Sequence, residues 1–294
     1  MDFAYHVVDV FTTTPMQGNA LAVFPDASGM ESETMQRVAR ELNLSETTFI
    51  LPQESKDGAT RVRIFTPASE LPFAGHPTIG TAYVMRRLGI VDASAESFAL
   101  NENVGRVPIR VDVGEDPILW LTTPPIRKLA EFSRDRCARA LTLNPDRLAT
   151  GVPCEQLSAG SPLIFVAVKD RAAVDAAQLD GAVYADLVRP SREATSIFVF
   201  AATEKGAYSR MFAPQLGIIE DPATGGATGP LAAFMMKHGI AGSADGTKFI
   251  SEQGVKMGRR SVLHVFVHGE GGRDGIEVGG NVVHVAEGTM RLPV

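Results

Sequence analysis

Apolar positions along the chain follow two different periods, and the alternation between them predicts the elements. Near the N-terminus, "HVVDVF" and "ALAVF" are strand-sized apolar runs joined around "GN", the pattern of two strands and a glycine turn. In "ESETMQRVARELNL" the period changes, because Met35, Val38, Ala39 and Leu42 fall at i, i+3, i+4 and i+7 and so make one apolar face of a helix. "TTFIL" and "RVRIF" then return to strand-like runs. Two later segments, about 78 to 88 and about 230 to 238, are apolar all round, which predicts buried central helices. The first closes on Arg86, Arg87 and Gly89, and the second begins at Pro230 and closes on Lys237, His238 and Gly239. "LTTPPIRKL" at 121 to 129 reads as a linker, and "IEVGGNVVHV" at 276 to 285 as a terminal hairpin turning at Gly279 and Gly280.

The same order of signals occurs twice. "RIFTP" leads to "GHPTIG" in the first half and "RMFAP" leads to "EDPATGGATG" in the second, with Arg63 and Arg210 separated by 147 positions, His76 and Asp221 by 145, and Gly89 and Gly239 by 150. "GNALAVF" and "GSPLIFV" add a pair separated by 142. A gene duplication accounts for this order. It predicts two similar domains, 1–123 and 124–294, with the last strands free to cross back to the first domain, and it aims both glycine-rich loops at a shared cleft.

Composition removes several function classes. The 294 residues are 45% hydrophobic and 21% charged, as in ordinary globular proteins. The net charge of -6 is spread out, and no Lys/Arg cluster is available to neutralise phosphates, so nucleic acid is not an expected partner. Apolar runs such as "LIFVAV" and "IFVFAA" are far shorter than a bilayer span, so no membrane association is expected. The N-terminal stretch has no export-signal pattern, and Cys137 and Cys154 are too few for a disulfide framework, which together predict a cytoplasmic protein with free thiols. His264, His268 and His284 lack a cysteine or clustered acid to complete a metal-ligand set, and no nucleotide-binding glycine motif is present. No metal and no cofactor are expected.

The candidate chemistry lies in three places. His76 sits at the mouth of one central helix and Asp221 before the other, where a carboxylate either caps the helix or holds the cationic end of a ligand whose anionic end meets free N–H groups. Glu46, just before an apolar strand, is either a solvated strand-entry acid or a single general acid/base; its expected counterpart in the second half is Thr195.

"GNALAVF", "ELNLSETTFIL", "FTPASELPFAGHPTIG" and "DPATGGA", in this order over the whole chain, resemble the phenazine-biosynthesis PhzF-like isomerase family. The resemblance implies an α+β diaminopimelate-epimerase-like fold: two pseudo-symmetric domains, each a curled, mostly antiparallel sheet around a central helix, commonly assembled as homodimers. It implies a cofactor-independent isomerase that moves a proton on a small carboxylate, as in isomerisation of trans-2,3-dihydro-3-hydroxyanthranilate. Glu46 maps to the family's base, and Gly75, His76, Asp221, Gly225, Gly226 and Ala227 to its substrate-binding groups. A base in this role is expected to be partly desolvated with a raised pKa. Gly226 stands where the family often carries serine. Neither cysteine lies near these loops, which disfavours the two-thiol chemistry of the related epimerases. An amino-acid racemase and a non-catalytic binding module are the alternative readings.

Overall fold

Parallel pairing next to antiparallel pairing sets the plan of the N-terminal part. In the computed structural model, which describes residues 1–112, 114, 116–191 and 193–292, the chain divides into two compact units, 1–122 with 278–294, and 123–277. The first begins with β1 (Asp2–Val10) antiparallel to β2 (Asn19–Phe24). After α1 (Ser32–Leu42), β3 (Glu46–Lys56) runs parallel to β2, so that Leu21 lies beside Glu46. β4 (Ala59–Phe65) is antiparallel to β3, and the short β5 (Glu70–Leu71) folds back on it. The helix α2 (Gly75–Arg87) follows, and then β6 (Ser97–Glu102), which pairs parallel with β4; β7 (Gly105–Val111) is antiparallel to β6, and β8 (Leu119–Thr122) antiparallel to β7.

The two helices of this unit behave as their sequences require. α1 is amphipathic: Met35, Val38 and Ala39 are buried against Phe24, Phe49 and Phe65, and Leu42 packs at the margin. Asn43 ends it in the left-handed conformation, which asparagine tolerates better than most residues. α2 is buried nearly all round. It approaches β1 and β2 so closely that a Cβ on Gly80 would lie 2.6 Å from Leu21 and 2.8 Å from Val10. The helix starts at Gly75, three residues before the expected 78, so His76 belongs to its first turn rather than to the preceding loop.

The second unit repeats this plan. It contains β9 (Arg127–Phe132), α3 (Arg134–Ala140), β10 (Cys154–Ser158), β11 (Pro162–Val168), α4 (Arg171–Ala176), α5 (Gly181–Val188), β12 (Ser196–Thr203), β13 (Gly206–Ala213), β14 (Ile218–Asp221), α6 (Gly225–Lys237), β15 (Lys248–Gln253) and β16 (Ser261–His268). β11 and β12 are parallel, as are β13 and β15, whereas β10–β11, β12–β13, β13–β14 and β15–β16 are antiparallel. The uninterrupted apolar runs in β11 and β12 reflect burial on both faces. Leu163, Phe165, Phe198 and Phe200 pack with α6, while the alternate residues Ile164, Val166, Ile197 and Val199 pack with the layer of α3, α4 and α5. Cys137 and Cys154 share that second layer as free, buried thiols, and a hydrogen bond between them together with burial raises the pKa of Cys137.

Two sequence expectations fail here for identifiable reasons. α6 begins at Gly225, not at Pro230, which is its sixth residue. Gly225 and Gly226 are poor helix formers, so the first turn was invisible to propensity. The expected turn at Gly279 and Gly280 is also absent, because both lie inside β17 (Gly275–Gly280) and neither has a positive φ. Their small size serves packing instead: a Cβ on Gly279 would lie 2.5 Å from the Trp120 ring, and one on Gly280 would lie 2.3 Å from the Phe11 ring. β18 (Val282–Arg291) then pairs antiparallel with β1.

Candidate active site

Three element starts converge in the first unit. The parallel register of β2 and β3 puts Asn19 and Glu46, the first residues of these strands, at the same end of the sheet, and the first turn of α2 delivers His76 to them. Glu46 and His76 are 8% and 2% exposed. His76 Nε2 lies 3.3 Å from Glu46 Oε2, without the alignment of a hydrogen bond. Asn19 Nδ2 lies 3.1 Å from His76 Nδ1. An amide NH₂ can only donate, so Nδ1 accepts and the imidazole proton is placed on Nε2, facing Glu46. Burial lowers the His76 pKa to about 3, which keeps the ring neutral. The unit therefore holds a buried carboxylate next to a neutral N–H donor of fixed tautomer.

A second carboxyl group, that of Glu102 at the end of β6, meets the same helix at Thr78. Thr78 Oγ1 is 2.7 Å from Ala74 O and 2.6 Å from Glu102 Oε1. A hydroxyl has one hydrogen, so if Thr78 donates to Ala74 O, the Glu102 contact needs its own proton, donated from Oε1 to Thr78. Burial agrees with this arrangement and raises the Glu102 pKa to about 8. Sequence reading missed both Asn19 and Glu102. The first lies within "GNALAVF", but nothing in a single sequence connects it to a histidine 57 positions away.

In the second unit Asp221 ends β14 and is 4% exposed. Its Oδ2 accepts from Thr224 Oγ1 at 2.6 Å. The N-cap of α6 is Thr224, so Asp221 does not occupy the capping position. Gln253 braces the loop: its Nε2 donates to Asp221 O at 2.7 Å and to Thr224 Oγ1 at 2.9 Å, and its Oε1 accepts from Thr224 N at 3.1 Å. Gly225, Gly226 and Ala227 form the first turn of α6, as Gly75 and His76 do in α2. Neither N-cap residue, Ala74 or Thr224, caps through its side chain. Such helix starts suit an anionic group.

The strand registers correct the expected pairing of the two motifs. Ile64 pairs with Leu71 in the first unit, and Met211 with Asp221 in the second. Arg63 is ion-paired to Glu70, and Arg210 to Glu220. α2 and α6 have the same length. Asp221 is thus the counterpart of Leu71, and His76 that of Gly226; the two do not form one duplicated pair. Glu46 likewise corresponds to Ser196 rather than Thr195, because Glu46 lies beside Leu21 and Ser196 beside Leu163. A short glycine-rich match tolerates a slip of five residues, whereas a strand ladder does not.

Residues 8–288 match the family described as phenazine biosynthesis-like protein, PhzC-PhzF. The chain belongs to the PhzF family. It is 36% identical over 292 residues to the trans-2,3-dihydro-3-hydroxyanthranilate isomerase of Pseudomonas aeruginosa, covering 98% of this chain and 99% of that protein. A PhzF-family crystal structure from Bacillus anthracis superposes with a TM-score of 0.86 at 26% identity, covering 99% and 100% of the two chains. A hydroxyproline epimerase from Agrobacterium vitis, at 12% identity and a TM-score of 0.67 over 98% and 92%, shares the fold alone. The chain is a PhzF-type isomerase with the α+β epimerase-like fold. The described residues contain no helix long and apolar enough to cross a membrane.

Proposed function

We propose that this isomerase moves a proton between two carbons of a small cyclic carboxylate, with Glu46 as the single acid/base and trans-2,3-dihydro-3-hydroxyanthranilate as the substrate. The observation that carries this reading is the buried pair of Glu46 and neutral His76, 3.3 Å apart at the start of α2. Glu46 takes the proton from one carbon as a carboxylate and returns it to another as the acid. The Nε2–H of His76 favours the carboxylate form before transfer, and the ring does not compete for the proton because its own pKa is about 3. The proposed substrate-binding groups are Gly75 and His76 in the first unit and Asp221, Gly225, Gly226 and Ala227 in the second: helix-start N–H groups suit a carboxylate, and the two side chains suit polar groups. Asp221 is suited to a cationic or hydroxyl group because it is buried and its orientation is fixed by Thr224.

Proton transfer of this kind requires a base and oriented donors, so the proposed reaction uses no cofactor. We further propose that the two units descend from one duplicated ancestor and that the working form is a cytoplasmic homodimer. Light scattering on the purified chain tests the assembly. The chemistry is tested with Glu46→Gln, which preserves shape and hydrogen bonding but cannot shuttle the proton. The expected result is ligand binding within a few-fold of the parent, with isomerisation and uptake of solvent deuterium both lower by about two to four orders of magnitude. Turnover close to the parent rate would remove Glu46 from the mechanism.

A further inference from the structure

The opposite end of α2 carries a second cluster, on different elements from the proposed active site. His6 Nδ1 on β1 lies 3.3 Å from His284 Nε2 on β18, and Glu287 Oε2 lies 3.6 Å from the first and 4.0 Å from the second. We propose that His6, His284 and Glu287 form a site for one divalent transition-metal ion of the zinc class, clipping the last strand of the chain to the first.

The strand geometry shows why these three side chains meet. Residues three apart on a regular strand point to opposite faces. The β1–β18 ladder, however, shifts register between Val7 and Val8: Val7 pairs with Ala286 and Val8 with His284, leaving Val285 as the extra residue of a bulge. The bulge reverses the phase of β18, so that Glu287, opposite His6, and His284, opposite Val8, share a face. That face is the one covered by α2, since Val8 meets Gly80.

The spacing also matches the chemistry. Tetrahedral bonds of about 2.0–2.1 Å to two imidazole nitrogens set those nitrogens about 3.3–3.4 Å apart. The His6–His284 separation has this value before any movement. The Glu287 carboxylate needs only a small rotation, and its side chain is 69% exposed and free to make it. Without a metal, two imidazole nitrogens at this distance share one proton; with a metal, both turn their lone pairs to it and carry their protons on the other ring nitrogens. The dipole at the C-terminal end of α2 favours a cation nearby, and Arg87 is the basic side chain that partly offsets it. Two imidazoles and a carboxylate leave one position for water, the donor set of zinc rather than of calcium or magnesium.

The test uses the full-length, tag-free chain, first stripped with a chelator and then titrated with Co²⁺ and Zn²⁺. The expected result is one ion per chain, a visible absorption band of tetrahedral Co²⁺ that Zn²⁺ displaces, and a higher Tm with Zn²⁺. His284→Ala and Glu287→Gln should each weaken binding by at least about tenfold. The second change is at an exposed position and preserves the fold should the first not do so. His268→Gln, whose histidine instead meets Glu277 at 3.1 Å, should leave binding unchanged. The proposal is overturned by no stoichiometric binding, or by affinity that is unchanged by both ligand substitutions, or by affinity that falls with His268→Gln.

Discussion

The starts of α2 and α6 are duplicates in backbone and opposites in chemistry. Both helices run for thirteen residues behind a proline, Pro72 or Pro222, and a conserved geometry of short strand and Arg–Glu pair. In both, a threonine in the first turn, Thr78 or Thr228, bonds back to the carbonyl four residues earlier. None of the chemistry-bearing side chains is shared. Glu46 faces Ser196 in the alignment of registers, His76 faces Gly226, Leu71 faces Asp221, and Glu102 faces Gln253. The difference teaches that the two units repeat the helix start as a backbone feature, whereas the proposed acid/base group Glu46 and the proposed ligand-holding carboxylate Asp221 stand at unrelated positions of that repeat. A one-sided proton shuttle suits this asymmetry better than a two-base racemisation, in which each half provides an equivalent base.

The largest expected effect comes from erasing the asymmetry at its centre. Glu46→Ser, which copies the second unit's residue at the same register, should lower isomerisation by at least about two to four orders of magnitude, and Ser196→Glu added to it should not restore the rate. Rates measured for the single and double variants decide this; rescue by the double variant would mean that the halves are chemically interchangeable.

A smaller loss is expected at Asn19. Asn19→Asp replaces the donor to His76 Nδ1 with an acceptor, moves the imidazole proton to Nδ1 and turns the bare Nε2 toward Glu46. We expect kcat to fall by about ten- to a hundredfold and the His76 pKa to rise from about 3. The pKa, followed by NMR of the ring, distinguishes this from a general loosening of the site, and an unchanged titration would count against the tautomer argument.

Much of this comparison was legible in the sequence, and the illegible part has a common cause. The apolar stripe of α1 and the glycine-rich loops are local signals, and they placed α1, the two buried helices and the motif residues. Glu46 and His76 were singled out separately, yet their 3.3 Å contact depends on the parallel pairing of β2 and β3, which no local pattern states. The pairing of His76 with Asp221 failed because matching glycines outweighed the proline and Arg–Glu positions that the ladders align. The cluster at His6 was the least legible, because its members are 278 positions apart and a bulge inverts the alternation by which strand faces are read.

The paired Arg–Glu bridges offer a comparison in stability rather than rate. Arg210 and Glu220 are less exposed than Arg63 and Glu70, and Arg210 also donates to Ala177 O at 2.6 Å and Val174 O at 3.2 Å. Removing Glu220's charge strands a more deeply buried guanidinium. Glu220→Gln should therefore lower Tm by several degrees and Glu70→Gln by less, both read by calorimetry. Equal losses would show that burial does not separate the bridges.

The smallest effect is a matter of pH. Glu102 and Gln253 occupy equivalent ends of β6 and β15, one an acid and the other its neutral isostere. With a folded-state pKa of about 8 against an ordinary 4.5, Glu102 retains a proton in the folded chain that the unfolded chain has already lost between these values. Stability from this group is therefore fully present below about pH 4.5, declines as the pH rises, and is gone above about pH 8. Glu102→Gln copies the second unit and removes the titration while leaving an NH₂ to donate to Thr78. We expect Tm near the parent's at pH 5 and a few degrees above it at pH 9, so that the difference between the two curves widens across the interval. His76, held neutral in the folded chain but titrating near 6.5 in the unfolded one, adds a pH dependence below about pH 6.5 that is common to both proteins and cancels in the difference. Parallel Tm curves from pH 5 to 9 would show that Glu102 is already ionised in the folded chain, and the hydrogen-bond count at Thr78 would have to be drawn the other way.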